Sequence, residues 1–486
     1  MKNEMKKNLF MVAAVALMAM ISCNKEDINN GGEPQEPQTP EVVEPSYYVE
    51  FTADLGAEET VTPTVQQSAT RTTIDMANKN KKTFWVKGDA ISVNGKKFVV
   101  KELIDGGLSA SFVNEGELGT DFKAPYTAKY PYEANGTIEI PESQTAVQGG
   151  IDPAYVPAVA YSDDNSLKFK HAASIIKFQV AVACNQVVLS SDDALAGTLD
   201  VTLPEKFDEV PTFSAATKTV TVNGPFVTDQ DYYLAVLPGT KNNFVVRIDG
   251  YLSKNAASVT VNRSTIANMK TLPAPVASDW GLVGVINEWD AESPITMYKD
   301  VDDCVLIRNF TGGAFKFIKN KTWNISRGIR SRDASSPSKG TWNLCGTKNI
   351  SLATGTYDVY FCPKNGVFNY VDAGNGVSKY APSGKAIYLQ VNEWSASDAY
   401  FEAWVWGSNQ ADAWYKFAMA GEKDNNHYVI YVPDGATGIK ILRKNPTTAS
   451  GNWTSWNDSG DQSIPSGKNM FIENGWNNYS WGSYSE

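Results

Sequence analysis

Residues 175–183 read Ile-Ile-Lys-Phe-Gln-Val-Ala-Val-Ala, and within them Ile176 and Phe178 alternate with Lys177 and Gln179. A period of two places the apolar side chains on one face of a β-strand. Asn-Gly and Asp-Gly dipeptides, which accept the positive φ of tight hairpins, recur along the chain. We therefore predict an all-β chain of tandem β-sandwiches. Further segments with strand character lie at 47–55, 244–252, 386–391 and 427–433.

Length and composition limit the possible functions. The chain has 486 residues, 42% of them hydrophobic, which is typical of a globular protein with about three or four domains. The net charge is −11, and the absence of a basic block argues against nucleic-acid binding. Only His171 and His427 are available for a histidine-based metal site or catalyst. We therefore predict a non-catalytic protein without a cofactor or a metal site.

The N-terminus has the features of an export signal. Three lysines precede the apolar run 9–21, which is too short to span a bilayer, so residues 1–22 are predicted to be a signal peptide. The sequence Met20-Ile21-Ser22-Cys23 resembles the lipobox of bacterial lipoproteins, which implies a lipid anchor on Cys23. An ordinary signal peptide followed by a chance cysteine is the alternative.

The segment after Cys23 is predicted to be a tether. Lys25-Glu26-Asp27 resembles the signal that exports lipoproteins of Gram-negative gut anaerobes to the outer face of the outer membrane. Residues 23–46 are rich in proline and glutamate, which favours an extended chain. The resemblance implies a lipid-anchored, surface-exposed protein of the cell outer membrane.

The distribution of tryptophan divides the rest of the chain, from residue 47 onward, into two parts. Trp85 is the only tryptophan between 47 and 279, whereas residues 280–486 contain the other twelve. We predict a boundary in the Pro-Ala-rich segment 273–278 and another at 381–384. The tripeptide Asn-Glu-Trp follows an apolar strand on both sides of the second boundary, at 287–289 and at 392–394. This repeat favours two tandem sandwiches of one general type.

The first half resembles the fimbrillin family. The family implies two transthyretin-like sandwiches, at 47–160 and 161–272. In members that form pili, a protease cuts after an arginine that corresponds to Arg71, and the groove left behind accepts a strand from another subunit. A turn residue in a protein that stays anchored is the alternative for Arg71. The matching segments are Ala69-Thr70-Arg71-Thr72, Trp85 with Gly88-Asp89, Phe169-Lys170-His171, and Tyr232-Tyr233-Leu234-Ala235-Val236-Leu237-Pro238.

Residues 279–372 are similar to the carbohydrate-binding repeats of SusE and SusF starch-utilisation lipoproteins. The similarity rests on Trp280-Gly281-Leu282, Glu288-Trp289, Phe315-Lys316-Phe317, Trp323 and Gly355-Thr356-Tyr357. It implies an α-glucan site that includes Trp289, Lys316 and Trp323. The family's glycine-rich stretch after Trp323 is replaced here by Asn-Ile-Ser-Arg-Gly, so a module that has lost its site is the alternative.

Residues 385–486 look like the C-terminal starch-binding modules of amylases. The aromatic strand 400–406 and the segments 439–446 and 453–457 carry the resemblance. It points to Trp404, Trp406 and Trp414 as the glucan-binding aromatic residues. Arg443 and Asn445 are predicted to contact the sugar hydroxyl groups.

Alternation along a strand places Trp404 and Trp406 on one face, about 7 Å apart. Sugar rings pack their C–H faces on aromatic rings of this kind. A role for each tryptophan in the sandwich core is the alternative. We predict an immunoglobulin-like carbohydrate-binding sandwich in each of the last two modules.

Four cysteines follow Cys23, at 184, 304, 345 and 362, and their spacing matches no metal motif. We predict that these four are buried thiols, and a Cys345–Cys362 disulfide, which is compatible with an exported protein, is the alternative.

The sequence thus predicts a surface lipoprotein that captures an α-glucan, a starch-like polysaccharide. A glycan transporter complex is an expected partner. A pilus subunit or tip adhesin, assembled with other pilus subunits by strand exchange, is the alternative.

Overall fold

The computed structural model describes residues 49–54, 73–74, 83–199, 212–329, 336, 340–344, 346–374, 384–394, 399–420, 426–445, 447–475 and 477–484. These residues contain no α-helix, only short 3₁₀ turns at Asp105–Gly107, Pro153–Tyr155, Val285–Asn287 and Val301–Asp303. The strands from Tyr47 onward belong to one compact unit and surround four main hydrophobic cores. The prediction of an all-β chain of tandem β-sandwiches is confirmed. The predicted signal peptide, Cys23, the tether and Arg71 lie outside the described residues.

The first body is the set of strands around the core that contains Phe51, Trp85 and Phe112. Its main sheet has the order β11-β1-β6-β5-β4-β7-β10-β12, and β2 pairs with β3. The Trp85 indole lies edge-on to Phe112 and Phe169, with ring centroids 4.9 and 5.5 Å apart. The first twelve strands of the chain, all of which except β8 and β9 belong to this body, are β1 (Glu50–Asp54), β2 (Thr73–Ile74), β3 (Thr83–Phe84), β4 (Ala90–Val93), β5 (Lys96–Ile104), β6 (Ser109–Asn114), β7 (Tyr126–Tyr130), β8 (Glu139–Ile140), β9 (Ser143–Thr145), β10 (Ala158–Ser162), β11 (Ser166–Lys168) and β12 (Lys170–His171).

The second body contains two main sheets, ordered β18-β13-β21 and β20-β19-β14-β17-β9, and a short third sheet with the order β16-β15-β8. Its core includes Phe178, Phe226 and Tyr232. The alternating residues 175–180 lie in β13, the central strand of the first of these sheets. The strands are β13 (Ser174–Val180), β14 (Cys184–Ser190), β15 (Ala196–Leu199), β16 (Phe213–Thr217), β17 (Thr219–Phe226), β18 (Tyr232–Val236), β19 (Gly239–Ile248), β20 (Tyr251–Val261) and β21 (Ile266–Leu272).

The first two bodies interlock, so the predicted boundary between residues 160 and 161 does not separate their sheets. Strands β8 and β9 leave the first body and pair with β15 and β17 of the second. The chain then returns, and β11 and β12 pair with β1 and β10. Alternation marks where strands occur, but their partners are set by long-range backbone pairing that the local sequence does not encode.

The third body is one sheet folded around a core that contains Trp280, Phe317 and Phe361. The sheet has the order β26-β25-β22-β23-β24-β29-β30-β27, with β28 beside β25. The strands are β22 (Ala277–Gly284), β23 (Ile295–Lys299), β24 (Val305–Phe310), β25 (Gly313–Lys319), β26 (Thr322–Arg327), β27 (Gly340–Asn343), β28 (Ile350–Leu352), β29 (Tyr357–Cys362) and β30 (Val367–Asp372).

A disulfide joins Cys304 to Cys362, so the prediction of buried thiols is wrong for these two buried residues, and the alternative pairing of Cys345 with Cys362 is wrong as well. Cys304 precedes β24 and Cys362 ends β29, and the antiparallel pairing of Val305 with Phe361 brings the two cysteines together. Their Cα atoms are 4.2 Å apart. Cys184 is a buried free thiol, and burial raises its pKa to about 11.

The second and third bodies meet at a polar joint. Arg247 of β19 forms an ion pair with Asp300, with the Nη2 and Oδ1 atoms 2.6 Å apart. Arg308 of β24 donates from Nη1 to the carbonyl oxygen of Asp249 at 2.6 Å and from its backbone N–H to the Tyr251 hydroxyl at 3.0 Å. These bonds link the hairpin between β19 and β20 to the sheet that carries the disulfide.

The fourth body is a sandwich of two sheets, β34-β35-β31-β39-β40 and β33-β32-β36-β37, with β38 beside β36. Its core includes Ile387, Trp394 and Phe471. The strands are β31 (Lys385–Val391), β32 (Tyr400–Trp406), β33 (Ala413–Lys416), β34 (Ala418–Ala420), β35 (His427–Val432), β36 (Gly438–Lys444), β37 (Asn457–Asp458), β38 (Gln462–Ser463), β39 (Met470–Glu473) and β40 (Tyr479–Gly482).

Candidate functional site

Strand β32 carries two of the tryptophans that the sequence singles out. Its residues Phe401, Ala403 and Val405 belong to the core of the fourth body. Because side chains alternate along a strand, Trp404 lies on the outer face of the sheet. There it is paired with Trp414 of β33 on one side and with Lys440 of β36 on the other. The register of three strands therefore brings two predicted binding residues side by side.

A third tryptophan completes this surface. The ring centroid of Trp453 lies 4.6 Å from that of Trp414 and 5.8 Å from that of Trp404, and the Trp404–Trp414 separation is 5.4 Å. We call these three residues the Trp404 cluster. Trp453 is 54% exposed, whereas Trp404 and Trp414 are half-buried. The ring planes are inclined by 58–61°, so the cluster presents an angled surface rather than a flat one.

Two lysines border the Trp404 cluster. The Nζ atom of Lys440 lies 5.9 Å from the Trp453 ring centroid, and that of Lys444 lies 4.6 Å from the Trp414 ring centroid. Cations over aromatic faces favour a fixed ring orientation. Lys440 also lies 3.5 Å from Asp458, whereas the Lys444 side chain is fully buried. Of these two lysines, only Lys440 has an ammonium within reach of a ligand on the surface.

A buried ion pair holds the loop that carries Trp453. Glu402 and Lys444 are both 0% exposed, and the Lys444 Nζ atom donates to the Glu402 Oε2 atom at 2.6 Å. The Ser450 hydroxyl donates to Glu402 Oε1, and the Gly451 N–H donates to Oε2 at 3.2 Å. The Glu402 carboxylate thus connects strand β36 to the loop two residues before Trp453, and the Tyr400 hydroxyl, which donates to the Thr448 carbonyl oxygen at 2.6 Å, holds the same loop.

The other predicted residues of this module lie apart from the cluster. Trp406 packs over Gly438, where a Cβ atom would come within 2.0 Å of the indole, so Trp406 and Trp404 do not form the expected ring pair. Arg443 lies on the opposite face of β36 from Lys444, and its guanidinium lies 4.9 Å from the ring centroid of Trp456. Asn445 accepts the N–H of Thr447 at 3.0 Å in a turn. Alternation predicted the outer face correctly but could not show which residue the Trp406 ring would cover.

The third body brings together all three residues that its sequence predicts. The rings of Trp289 and Trp323 are stacked, with centroids 6.4 Å apart and planes inclined by 28°. The Lys316 Nζ atom lies 5.9 Å from the Trp323 ring centroid. Trp323 is 40% exposed and Trp289 is half-buried. We call Trp289 and Trp323 the Trp323 pair, and it forms a second aromatic surface with a neighbouring cation.

The two Asn-Glu-Trp tripeptides have different roles. Trp394 is only 2% exposed and belongs to the core of the fourth body, whereas Trp289 lies at the surface. The backbone N–H groups of residues 392–394 all donate to the Glu473 carboxylate, at 2.8–3.0 Å. The repeat therefore occurs at similar places in the chain without conserving the function of its tryptophan.

Three parts of the Trp404 cluster and its support were not among the predicted site residues. Trp453 belongs to a Trp-x-x-Trp motif, which is a sequence signal for an exposed aromatic loop. Glu402 is a carboxylate within the otherwise apolar and aromatic strand Tyr400–Trp406, which is a signal for a buried charge. Lys440 alternates with the core residues Ile439 and Ile441 on β36.

The His171 ring is within hydrogen-bonding distance of the Thr83 hydroxyl, at 3.0 Å, and of the Val156 carbonyl, at 3.2 Å. Burial lowers the pKa of His171, which favours the neutral ring. Among the described residues no group of three or more His, Cys, Asp or Glu side chains could hold a metal ion. No helix in the same ranges has the length and hydrophobicity needed to cross a membrane.

Comparison with known proteins gives matches only among solved structures, since no protein-family model and no curated protein matches the chain. A "putative cell adhesion protein" from Bacteroides ovatus is 16% identical over 40% of this chain and 88% of its own, with a TM-score of 0.26. A protein of the same description from Bacteroides uniformis is 16% identical over 41% of this chain and 79% of its own, with a TM-score of 0.25. A fimbrial protein from Bacteroides ovatus is 10% identical over 51% of this chain and 66% of its own, with a TM-score of 0.21. Similarity at this level does not extend to a shared function.

Proposed function

We propose that this chain is a non-catalytic cell-surface protein that binds a neutral polysaccharide through the Trp404 cluster and the Trp323 pair, with an α-glucan as the favoured class. The observation that carries the proposal is the Trp404 cluster, in which three indole rings meet on the outer face of a sandwich. Contiguous exposed patches of large aromatic rings commonly mark binding sites, whereas single exposed rings need no explanation. A lipid on Cys23 would hold the protein at the outer membrane, beside a glycan transporter complex.

The chemistry of both surfaces suits sugar rings. An indole offers a flat apolar face for the C–H groups of a pyranose, and a neighbouring ammonium can bond to its hydroxyl groups. Lys440 borders the first surface and Lys316 borders the second. One aromatic contact contributes only about 0.5–1.5 kcal/mol beyond the area it buries. Two weak surfaces on one chain would therefore gain affinity by binding the same polymer together.

Replacing Trp453 with alanine is expected to weaken binding of maltoheptaose about tenfold, because the most exposed ring of the Trp404 cluster is lost. The measurement is isothermal calorimetry on residues 47–486, supported by electrophoresis in gels that contain amylopectin. The matched control is Trp456→Ala, which removes a 43% exposed tryptophan from the same loop region without touching the cluster. This control should bind as the unaltered chain does.

Equal losses in the two variants would show that the loop as a whole, rather than the cluster, supports binding. An unaltered chain that releases no heat with maltoheptaose and is not retarded by amylopectin would contradict the proposed α-glucan class.

A second candidate function, assembly into a fimbria by strand exchange, is favoured by the position of β1. This strand lies between β6 and β11 in the first sheet, and its residues Phe51 and Ala53 are fully buried in the core. Arg71 follows β1 in the sequence, so cleavage after Arg71 would allow β1 to leave and open a groove for a strand of another copy. The compared structures carry adhesion and fimbrial names, but at their TM-scores they add no argument of their own.

Treatment of the purified chain with an arginine-specific protease tests this second function. We expect a cut after Arg71, followed by a ladder of polymers on denaturing gels without boiling, and no ladder from the Arg71→Ala variant. Complete cleavage without polymers would contradict strand exchange and leave glycan binding unaffected. Polymers that still bind amylopectin would mean that both functions reside in one protein.

A further inference from the structure

A cleft lies beside the Trp404 cluster, between the third and fourth bodies. Its volume is about 660 Å³, within the range of about 300–1,000 Å³ that is usual for ligand sites. Asn365, in the turn between β29 and β30, and Val367, the first residue of β30, line one side, and residues of β33 and β35 line the other. The hairpin packs closely against β34 of the fourth body, because a Cβ atom on Gly366 would come within 2.5 Å of the Ala418 Cβ atom. The two bodies thus form the cleft jointly.

The cleft is continuous with the Trp404 cluster. Trp414 lines the cleft and also contacts Trp404 and Trp453. Ser450, which donates to the buried Glu402 carboxylate, lines the cleft as well. A polymer that packs on Trp404 and Trp453 could therefore pass across Trp414 into the cleft without leaving the protein surface.

The lining of the cleft has the composition of a neutral-sugar site. Trp414 and Tyr431 contribute aromatic rings, and Asn409 and Gln410 lie on the exposed turn between β32 and β33. Amide groups can both donate to and accept from sugar hydroxyls. Among the described residues that line the cleft, the charged side chains are Lys416 and Asp434, which have opposite signs. The balance of charge disfavours an anionic polysaccharide.

We propose that this cleft is a second sugar-binding subsite, which extends the Trp404 cluster and selects for longer neutral oligosaccharides. The inference rests on the proposed function, because it takes the cluster as the first subsite. It adds that the third body contributes a wall of the site, through the hairpin that contains Asn365, and that the amides of Asn409 and Gln410 bind the part of the chain beyond Trp414. A short oligosaccharide would occupy the cluster alone, whereas a longer one would fill the cleft as well.

The test compares maltotriose with maltoheptaose by isothermal calorimetry on residues 47–486. The unaltered chain should bind maltoheptaose at least about tenfold more tightly than maltotriose, since only the longer sugar fills the cleft. The Asn409→Ala/Gln410→Ala double variant should lose about tenfold in maltoheptaose affinity and keep its maltotriose affinity. Asp434→Asn, which keeps the shape of the side chain, should weaken the binding of maltoheptaose and leave the binding of maltotriose unchanged. The control Asn255→Ala removes an exposed amide from β20 of the second body and should change neither affinity.

The inference fails if the double variant and Asp434→Asn both keep the full preference for maltoheptaose, or if they lose maltotriose affinity to the same extent. That failure differs from failure of the proposed function, in which the unaltered chain binds neither sugar. Thermal unfolding curves that match the unaltered chain show that the altered side chains act on the sugar rather than on the fold.

Discussion

Replacing Glu402 with alanine is expected to lower the free energy of unfolding of the fourth body by about 3–5 kcal/mol. The variant leaves the Lys444 ammonium fully buried beside the Trp414 ring without its carboxylate partner. A buried charge without a counter-charge is far more costly than an intact pair or an apolar replacement. Urea unfolding followed by tryptophan fluorescence measures the effect, because twelve of the 13 tryptophans lie in residues 280–486.

The double variant Glu402→Leu/Lys444→Met is the control. Removal of both charges leaves neither ion unpaired, so its stability should return to within about 1–2 kcal/mol of the unaltered chain. If the single and double variants are equally unstable, the loss comes from packing rather than from charge.

Sugar binding should respond differently from stability in this pair of variants. The Glu402 carboxylate accepts hydrogen bonds from the Ser450 hydroxyl and the Gly451 N–H, and leucine can accept neither. The loop that carries Trp453 loses its anchor in the double variant even though the sandwich stays folded. We therefore expect a stable protein with about tenfold weaker binding of maltoheptaose. Unchanged binding in the double variant would mean that ring contacts alone position Trp453.

Local pattern was sufficient to predict the type of fold and part of the candidate site. Alternation identified strands such as β13, and it placed Trp404 on the outer face of β32 because Phe401, Ala403 and Val405 form the core side. The resemblance to known modules named Trp414, and the structure places it directly opposite Trp404. In these cases the two-residue period of a strand and the directly adjacent strand determine where the side chain lies.

Features that depend on distant parts of the chain could not be predicted in this way. Trp406 does not form the expected ring pair with Trp404, because its ring packs over Gly438 on the adjacent strand β36. Strands β8 and β9 pair with strands of the second body, and nothing in the sequence of residues 139–145 indicates these partners. The cleft needs the relative placement of two bodies, and that placement has no local sequence signal.

The cysteine pairing is another such feature, and it leads to a prediction of similar size. Loss of the Cys304–Cys362 disulfide is expected to lower the free energy of unfolding of the third body by about 4 kcal/mol, since the bridge closes a loop with a sequence separation of 58 residues. The variant to test is Cys304→Ala/Cys362→Ala. Alanine is chosen because both positions are fully buried and a serine hydroxyl would need a hydrogen-bond partner there.

Cys184→Ala is the matched control, because it removes the buried free thiol of the second body without affecting the bridge. A reductant should lower the urea midpoint of the unaltered chain and of this control. It should leave the midpoint of the double variant unchanged, because that variant has no bridge to lose. Peptide mapping without reduction should recover Cys304 linked to Cys362 and Cys345 as a free thiol.

The consequences of losing the bridge should extend to the joint between the second and third bodies. Cys304, Leu306, Tyr360 and Cys362 form one small buried cluster, and Tyr251 of the second body packs against it. Two residues after Leu306, Arg308 bonds to the carbonyl oxygen of Asp249 in the second body. Loss of the disulfide therefore destabilises the strands that contact the second body. We expect proteolysis near residues 273–278, between the second and third bodies, to be faster in the double variant. Proteolysis at the rate of the unaltered chain would show that the Arg247–Asp300 and Arg308 contacts hold the joint without help from the disulfide.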